Sequence, residues 1–163
     1  HPAALDPDRL ADQCEFRASR RSGPGGQNRN KVETAVILTH RPTGISAEAS
    51  ERRSQGQNRR QALFRLRVRL ALEVRTPAEA APSPLWNSRL RGGRIVVSAD
   101  HDDFPALLAE ALDVLADLDD DVKEASARLA CSTTQLIKLL ALEPLALGRL
   151  NDRRGIRKQH PLR

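Results

Sequence analysis

Residues 14–49 read CEFRASRRSGPGGQNRNKVETAVILTHRPTGISAEA, and short apolar runs in this stretch are separated by turn-forming residues. Alternating apolar and polar residues predict a half-buried strand over 14–19, and residues 33–40 predict a central strand. The turn at 41–44, Arg-Pro-Thr-Gly, leads into a returning strand over 45–49. The stretch therefore predicts three strands, with a long polar loop between the first two.

The residues after the third strand predict a long helix. Ser54 and Gln57 have the spacing of a capping box. In this motif the side chain of each of the two residues accepts a hydrogen bond from the free backbone N–H of the other. Apolar residues then recur on one helical face as far as about Arg75: Leu63, Leu66, Leu70 and Val74. The predicted fold class is α+β, a small β-sheet packed on one long helix, with the loop at 20–30 projecting from it.

The second half of the chain predicts helices. Asp103 caps a first helix with Pro105 in its opening turn, and shorter helices follow at 121–130, at 133–142 and after Pro144. The sequence predicts four parts: a β-β-β-α domain over 1–75, a Pro-rich linker with one possible short strand (94–98) over 76–100, an acidic helical unit over 101–148, and a basic C-terminal tail over 149–163.

Residues 125–140 have the spacing of a helix-turn-helix. Ser132 would cap the second helix, and Thr133, Thr134 and Gln135 would occupy the positions that face nucleic acid. Any pair of short packed helices can produce this pattern, and the surrounding segment is acidic. A structural helical pair is therefore the preferred interpretation, with a DNA-binding element as the alternative.

Charge is distributed unevenly along the chain. The net charge of +6 divides into +9 over residues 14–75, −6 over 76–148 and +5 over 149–163, with the remaining −2 over 1–13. Such a distribution indicates a polyanionic partner that is contacted at two places. A GC-rich genome favours Arg codons, and this bias explains part of the basic composition. It does not explain why the basic residues cluster along the chain.

Several function classes are excluded by composition. The two cysteines, Cys14 and Cys131, lack framework spacing and predict free thiols in a reducing compartment, and the four histidines are scattered, so we expect no metal site. A core with few aromatic residues argues against a large cofactor cavity, and we expect no cofactor and no membrane partner. We expect a cytoplasmic monomer, although a chain that begins with His1 and contains no Met leaves an organellar origin open.

The loop at 22–31, SGPGGQNRNK, carries the candidate chemistry. Gly25 and Gly26 permit backbone angles that other residues avoid, and they let the main chain approach a ligand closely. Gln27 has a neutral carboxamide, which cannot act as a base but can place a donor and an acceptor beside a reacting group. Taken alone, these residues are explained slightly better by a mobile glycine turn with solvated charges.

From Phe16 to Leu70 the chain resembles the catalytic domain of class I peptide chain release factors. Four motifs carry the likeness, in the order and at the spacing of that family. They are Arg17-x-Ser19 leading to Ser22-Gly23, the Gly25-Gly26-Gln27 loop with Asn30 beyond it, Thr39-His40-x-Pro42-Thr43-Gly44-Ile45, and Arg53-Ser54-Gln55-x-x-Asn58. Asn28 and Arg29 depart from the family, which usually carries His and then Val after the Gln.

The resemblance implies hydrolysis of the peptidyl-tRNA ester on the ribosome, with Gly25, Gly26 and Gln27 as catalytic residues. The Gln27 backbone N–H would donate to the developing charge, and its side chain would exclude nucleophiles larger than water. The implied partners are the large-subunit rRNA at the peptidyl-transferase centre, the P-site peptidyl-tRNA and a glutamine methyltransferase that would N-methylate Gln27. Residues expected to contact RNA are Arg20, Arg21, Asn28, Arg29, Asn30, Lys31, Arg52, Arg53, Gln55, Asn58, Arg59, Arg60, Arg153, Arg154, Arg157 and Lys158.

The size of the chain favours a codon-independent enzyme that releases nascent peptide from stalled ribosomes. Single-domain rescue hydrolases of this kind place a basic tail in the vacant mRNA channel, and residues 149–163 are the candidate here. Helical spacing through Leu145, Leu147 and Leu150 offers an alternative in which these basic residues belong to the helical unit. Two other functions stay open: a catalytically silent ribosome- or RNA-binding protein of the same fold, and a helix-turn-helix DNA-binding regulator.

Overall fold

The structure, a computed structural model, describes residues 1–19 and 34–163. It divides into two compact units, residues 2–70 and residues 71–163 together with His1. We call them the sheet unit and the helical unit. The predicted α+β class is confirmed, since a three-stranded sheet and several helices are present. Within the described ranges, no helix is long and apolar enough to cross a membrane.

The sheet unit contains a short 3-10 turn (Pro2–Ala4), helix α1 (Pro7–Asp12), strands β1 (Cys14–Ser19), β2 (Ala35–His40) and β3 (Ser46–Ala49), and most of helix α2 (Gln55–Glu73). The sheet is antiparallel with β2 in the centre, Cys14 opposite His40 and Val36 opposite Ala49. Alternation along β2 buries one face of the sheet. The core of the sheet unit consists of Ala3, Leu10, Cys14, Val36, Leu38, Ala47, Ala49, Ala62, Leu66 and Leu70.

Helix α2 begins where the capping box predicts. The Ser54 hydroxyl accepts a hydrogen bond from the backbone N–H of Gln57 (3.4 Å), which satisfies one of the free donors of the first turn. Helix α1 was not predicted, although Asp6 accepts from the N–H groups of Asp8 (3.0 Å) and Arg9 (3.4 Å) and Pro7 occupies the first turn. Its six residues are too few to show a helical period.

The helical unit contains α3 (Pro84–Arg89), a two-stranded hairpin of β4 (Leu90–Arg91) and β5 (Arg94–Ile95), and helices α4 (Phe104–Asp117), α5 (Val122–Arg128), α6 (Thr133–Ala141) and α7 (Pro144–Ile156). Most of α4 is buried, including Phe104, Leu107, Leu108 and Leu115. A helix that is apolar on most of its circumference belongs in the middle of a bundle, and the other helices supply the amphipathic cover.

The expected linker at 76–100 differs from the structure, because much of it is folded. Trp86 in α3 is buried, and its indole N–H donates to the carbonyl of Leu129 (2.8 Å). Ser83 caps α3 and is held by Glu110, whose carboxylate accepts from the Ser83 N–H (2.7 Å) and hydroxyl (2.6 Å). The prolines therefore start a helix here, and a buried aromatic anchor fixes it.

Candidate functional site

The predicted catalytic residues Gly25, Gly26 and Gln27 lie outside the described residues. The same holds for six residues expected to contact RNA: Arg20, Arg21, Asn28, Arg29, Asn30 and Lys31. The base of this segment is described. Ser19 pairs with Ala35 in the β1–β2 ladder, so the chain leaves the sheet and returns to it at adjacent positions.

A buried asparagine holds the returning end of that segment. The side-chain amide of Asn58 donates to the carbonyls of Thr34 (2.7 Å) and Arg52 (2.9 Å), and its oxygen accepts from the Arg52 N–H (2.9 Å). Asn58 is completely buried. The expectation that Asn58 contacts RNA therefore differs from its placement, because its donors and acceptor are used inside the unit. It fixes Thr34 and the entry to α2 against each other.

The other residues predicted at the start of α2 are exposed. They are Arg52, Arg53, Gln55, Arg59 and Arg60. Among the described residues, no carboxylate pairs with any of these four arginines. The Arg59 guanidinium lies 5.9 Å from the centre of the Phe16 ring, and Phe16 is 44% exposed. The start of α2 thus presents four positive charges, one of them over an aromatic face, to whatever binds there.

Arginines farther along α2 serve the fold instead. Arg65 pairs with Glu51 (2.7 Å) and donates to the carbonyl of Glu48 (2.8 Å), and Arg69 donates to the carbonyl of Ser46. Arg67 is buried and donates to the carbonyl of Ala3 (3.0 Å). The basic character of α2 therefore divides into an exposed first part and a structural second part.

The histidine of the hairpin motif is also structural. His40 is buried, with Nε2 3.0 Å from the Gln13 side-chain oxygen and Nδ1 2.8 Å from the Thr43 hydroxyl. The Gln13 side-chain oxygen accepts from Nε2–H, and the Thr43 hydroxyl can donate to Nδ1 of a neutral imidazole. Burial, reinforced by the nearby Arg41 charge, holds the pKa of His40 below its usual value. Gly44 closes the turn with φ of +71°.

The predicted basic tail is largely part of the folded helical unit. Helix α7 continues to Ile156, and Arg153 in it makes a two-point contact with the buried carboxylate of Asp120 (2.7 and 2.9 Å). Arg157 donates to the carbonyl of Asp119 and lies 3.7 Å from the Asp120 carboxylate. This result agrees with the alternative in which α7 continues past Leu150.

The last residues fold back on α7. The Asn151 side chain donates to the carbonyl of Leu162 (3.1 Å) and accepts from its N–H (2.7 Å), while Arg154 donates to the carbonyl of His160 (3.1 Å). Lys158 is exposed. Four C-terminal residues were predicted to contact RNA. The side chains of Arg153, Arg154 and Arg157 bind other parts of the helical unit, whereas the Lys158 side chain has no hydrogen bond or ion pair among the described residues.

The predicted helical pair is present as α5 and α6. The Ser132 hydroxyl caps α6 by accepting from the N–H of Gln135 (3.3 Å). The Gln135 side chain accepts from the N–H of Ile95 in β5 (3.3 Å). One of the three positions that a DNA-reading helix would direct at bases is therefore used to hold the hairpin.

Both cysteines are free thiols, and within residues 1–19 and 34–163 no group of three or more His, Cys, Asp or Glu side chains could hold a metal ion. Cys14 is buried and its thiol donates to the carbonyl of Leu10 (3.2 Å). Burial raises the pKa of Cys131 to about 11. Neither thiol has the lowered pKa of a reactive cysteine.

Sequence comparison places this site in a known family. The family described as RF-1 domain matches residues 9–91, just over half of the chain. Peptide chain release factor 1 of Parafrankia sp. (strain EAN1pec) is 39% identical over 92 residues, which cover 55% of this chain and 26% of the relative. Peptide chain release factor PrfB1, chloroplastic, of Arabidopsis thaliana is 41% identical over 88 residues, 49% of this chain and 19% of that protein.

A third relative, peptide chain release factor 1 of Lactiplantibacillus plantarum, is 46% identical over 71 residues, 42% of this chain and 20% of the relative. The chain thus spans about a quarter or less of the length of these relatives. The matched residues contain the sheet, the Gly25-Gly26-Gln27 segment and all of α2, and the match continues through α3. On this match over just over half of its length, the chain belongs to the RF-1 domain family.

Proposed function

We propose that this protein hydrolyses the ester between a nascent peptide and tRNA on the ribosome. The observation that carries the proposal is the position of the Gly25-Gly26-Gln27 sequence within the RF-1 match, in a segment whose base is fixed by the Ser19–Ala35 pair and by Asn58. Ser19 and Thr34, the described residues on either side of the catalytic segment, are thereby held in the sheet unit.

In the proposed mechanism the backbone N–H of Gln27 donates to the oxyanion that develops on the ester carbonyl. One such donor contributes about 3 kcal/mol to transition-state stabilisation. The Gln27 carboxamide orients the attacking water and excludes larger nucleophiles. His40 is no candidate base, because both of its ring nitrogens are occupied by Gln13 and Thr43 inside the unit. The ribosome and the substrate supply the remaining groups, so the free protein has little activity.

The proposed RNA contacts of the described sheet unit are Arg52, Arg53, Arg59 and Arg60. Their exposure and their freedom from carboxylate partners among the described residues leave the full charge of each available for phosphates. Arg59 and the exposed ring of Phe16 additionally offer a surface on which a base can stack. Gln55 begins α2 beside them and can donate and accept hydrogen bonds.

We propose further that release is codon-independent and acts on stalled ribosomes. Residues 92–163, which follow the RF-1 match, belong to the helical unit, and we assign recognition of a stalled complex to this unit. The engagement of Arg153 and Arg157 with Asp119 and Asp120 argues against a free basic tail as the sensor of an empty mRNA channel. The surface of the helical unit is the better candidate for that role.

The test is peptide release from ribosomes that carry labelled formyl-methionyl-tRNA in the P site. mRNAs that end at the P site, or extend beyond it with sense or stop codons, separate rescue from termination. We expect release on short mRNAs whatever the codon. Gly26→Ala should reduce release about 100-fold or more, because it disfavours the backbone turn that places the Gln27 N–H, with binding to ribosomes retained.

Gly148→Ala in α7 is the matched control, because an added Cβ meets no atom within 4 Å there. Release that requires a stop codon would contradict rescue. Ribosome binding without release on any complex would instead support the catalytically silent alternative.

A further inference from the structure

A groove in the helical unit lies between the β4–β5 hairpin, the segment that follows it and helix α6. It has a volume of about 740 Å³, and its walls include Arg89, Arg94, Val96, His101, Gln135 and Lys138. Among the described residues, none of those that line it carries a carboxylate. Two other clefts of the same unit are both lined by Asp119 and Asp120.

Positive charge is concentrated at this groove within an otherwise acidic part of the chain. Residues 76–148 contain six basic residues against twelve acidic ones. Three of the six line the groove: Arg89, Arg94 and Lys138. A fourth, Arg91, is opposite Arg94 in the backbone ladder of the hairpin. Arg89 is neutralised by Asp103 (2.7 Å), whereas Arg91, Arg94 and Lys138 have no ion-pair partner among the described residues.

The hairpin imposes a charge arrangement that is unfavourable by itself. Arg91 and Arg94 stand directly opposite each other in the ladder, where like charges repel. Gly92 and Gly93, with φ of +54° and +76°, form the tight turn that keeps the two strands together. An anion bound between these side chains would relieve the repulsion.

The groove is also rigidly framed. The Gln135 side chain accepts from the N–H of Ile95 (3.3 Å), which ties α6 to β5. The N–H of Val96 donates to the carbonyl of Arg89 (2.9 Å), so the chain after β5 is held against the end of α3. The cationic side chains therefore project from a preformed frame, which lowers the entropy lost on binding.

We propose that this groove binds the phosphate backbone of RNA, with Arg94 and Lys138 as the principal contacts and Arg91 beside them. The choice of RNA among polyanions rests on the proposed ribosomal function. The groove would give the chain a second RNA contact, separate in sequence from the arginines of α2. Arg91, Arg94 and Lys138 have no carboxylate partner among the described residues, whereas Arg153 and Arg157 contact the Asp120 carboxylate.

The experiment compares two double variants of the full chain. Arg94→Gln with Lys138→Gln removes the groove charges, and Lys123→Gln with Arg128→Gln removes one Arg and one Lys of the same unit outside the groove. Binding of a labelled 20-base-pair RNA duplex is measured between 50 and 200 mM salt. We expect the groove variant to bind about tenfold more weakly and to lose about 2 from the slope of log K against log salt, since each phosphate contact contributes about 0.9.

The control variant should keep both the affinity and the slope of the wild type. Equal behaviour of the two variants would overturn the proposal. Groove-dependent binding that is tighter for the DNA duplex of the same sequence, or for polyglutamate of equal charge, would overturn it in favour of a DNA or an acidic-peptide site. Circular dichroism checks folding, and Arg91→Gln with Arg94→Gln replaces the first variant if that one unfolds.

This experiment involves no hydrolysis, so its outcome is independent of the release assay. If the chain binds RNA through the groove but fails to release peptide, the proposed catalytic function is contradicted and the proposed RNA site is supported. If the chain releases peptide but binds no RNA through the groove, the proposed RNA site is contradicted and the proposed catalytic function is supported.

Discussion

The sheet unit and the helical unit each carry a cluster of basic residues, at 52–60 and at 149–158. In the sheet unit Arg52, Arg53 and Arg60 are exposed and form no ion pair with a carboxylate among the described residues. In the helical unit Arg153 makes two hydrogen bonds to buried Asp120, and Arg149 donates to the carbonyl of Leu72 (3.1 Å). A basic cluster therefore stays available to a polyanion where its own unit supplies no acceptors for its charges.

The largest effect is expected from removing the exposed cluster. Replacing Arg52, Arg53, Arg59 and Arg60 by Gln should weaken ribosome binding on the order of 100-fold at low salt and reduce the salt slope by about 3 to 4. Filter binding over a salt series measures both quantities. The matched variant replaces Arg153, Arg154, Arg157 and Lys158 by Gln. It should change the slope by less than about 1, and equal losses in the two variants would erase the distinction between the clusters.

A smaller effect is expected at Asn58, which links Thr34 to Arg52 in the sheet unit. Asn58→Ala removes three hydrogen bonds and leaves the backbone groups of Thr34 and Arg52 without their partner. We expect a loss of about 2–3 kcal/mol in the free energy of unfolding, measured by urea titration with circular dichroism. The neighbouring exposed Gln57→Ala should cost less than about 0.5 kcal/mol. Equal losses of unfolding free energy in the two variants would contradict the structural role of the Asn58 side chain.

The equivalent test in the helical unit is milder, because Arg153 is partly exposed. Asp120 has a positive φ of 62°, which Asn adopts readily, so Asp120→Asn removes the charge without backbone strain. We expect a cost of about 1–2 kcal/mol in the same titration. Asp119→Asn is the control, since Asp119 has a similar φ of 51° and an exposed side chain. A larger loss for Asp119→Asn would contradict the structural role of the Asp120 carboxylate.

The smallest effect concerns pH. The pKa of His40 is lowered by burial, with Arg41 adding to it, whereas the unfolded imidazole titrates near pH 6.5. The unfolded chain therefore binds more protons between these values. The stability that neutral His40 contributes is complete above about pH 6.5 and is lost as pH falls toward the lowered pKa.

His40→Gln should consequently show a flatter dependence of the unfolding free energy on pH than the wild type. The range to measure is about pH 7.5 to 5, which includes the unfolded pKa and the values below it. Exposed His160→Gln should keep the wild-type dependence. A wild-type pH dependence in His40→Gln would mean that other groups carry it.

Local patterns predicted much of the fold. Strand β1 has the bounds that its alternation predicts, and α2 and α4 to α7 begin within a few residues of their predicted caps. Helices α1 and α3 were missed because six residues show no helical period, although Asp6-Pro7 and Ser83-Pro84 are cap signals. The signal that would have identified α3 is Trp86, a large aromatic residue next to Leu85 in a segment rich in Pro and Ala.

The partners of polar side chains were beyond sequence reasoning. Asn58 and Thr34 are 24 residues apart, and Arg153 and Asp120 are 33 apart, so neither contact leaves a local pattern. The sequence gives no sign that Asn58 is buried, since Asn is mostly an exposed residue in proteins. Whether a charged residue is free or paired depends on long-range packing, which the sequence encodes only collectively.

Trp86 has one more consequence. It is the single tryptophan of a chain without tyrosine, it is 1% exposed, and it lies in the helical unit. Intrinsic fluorescence excited near 280 nm therefore reports on the helical unit, and the sheet unit is spectroscopically dark at that wavelength. The protein carries a built-in optical label on one half, so the difference between a fluorescence melt and an ellipticity melt measures directly whether its two halves lose structure as one cooperative system or in succession.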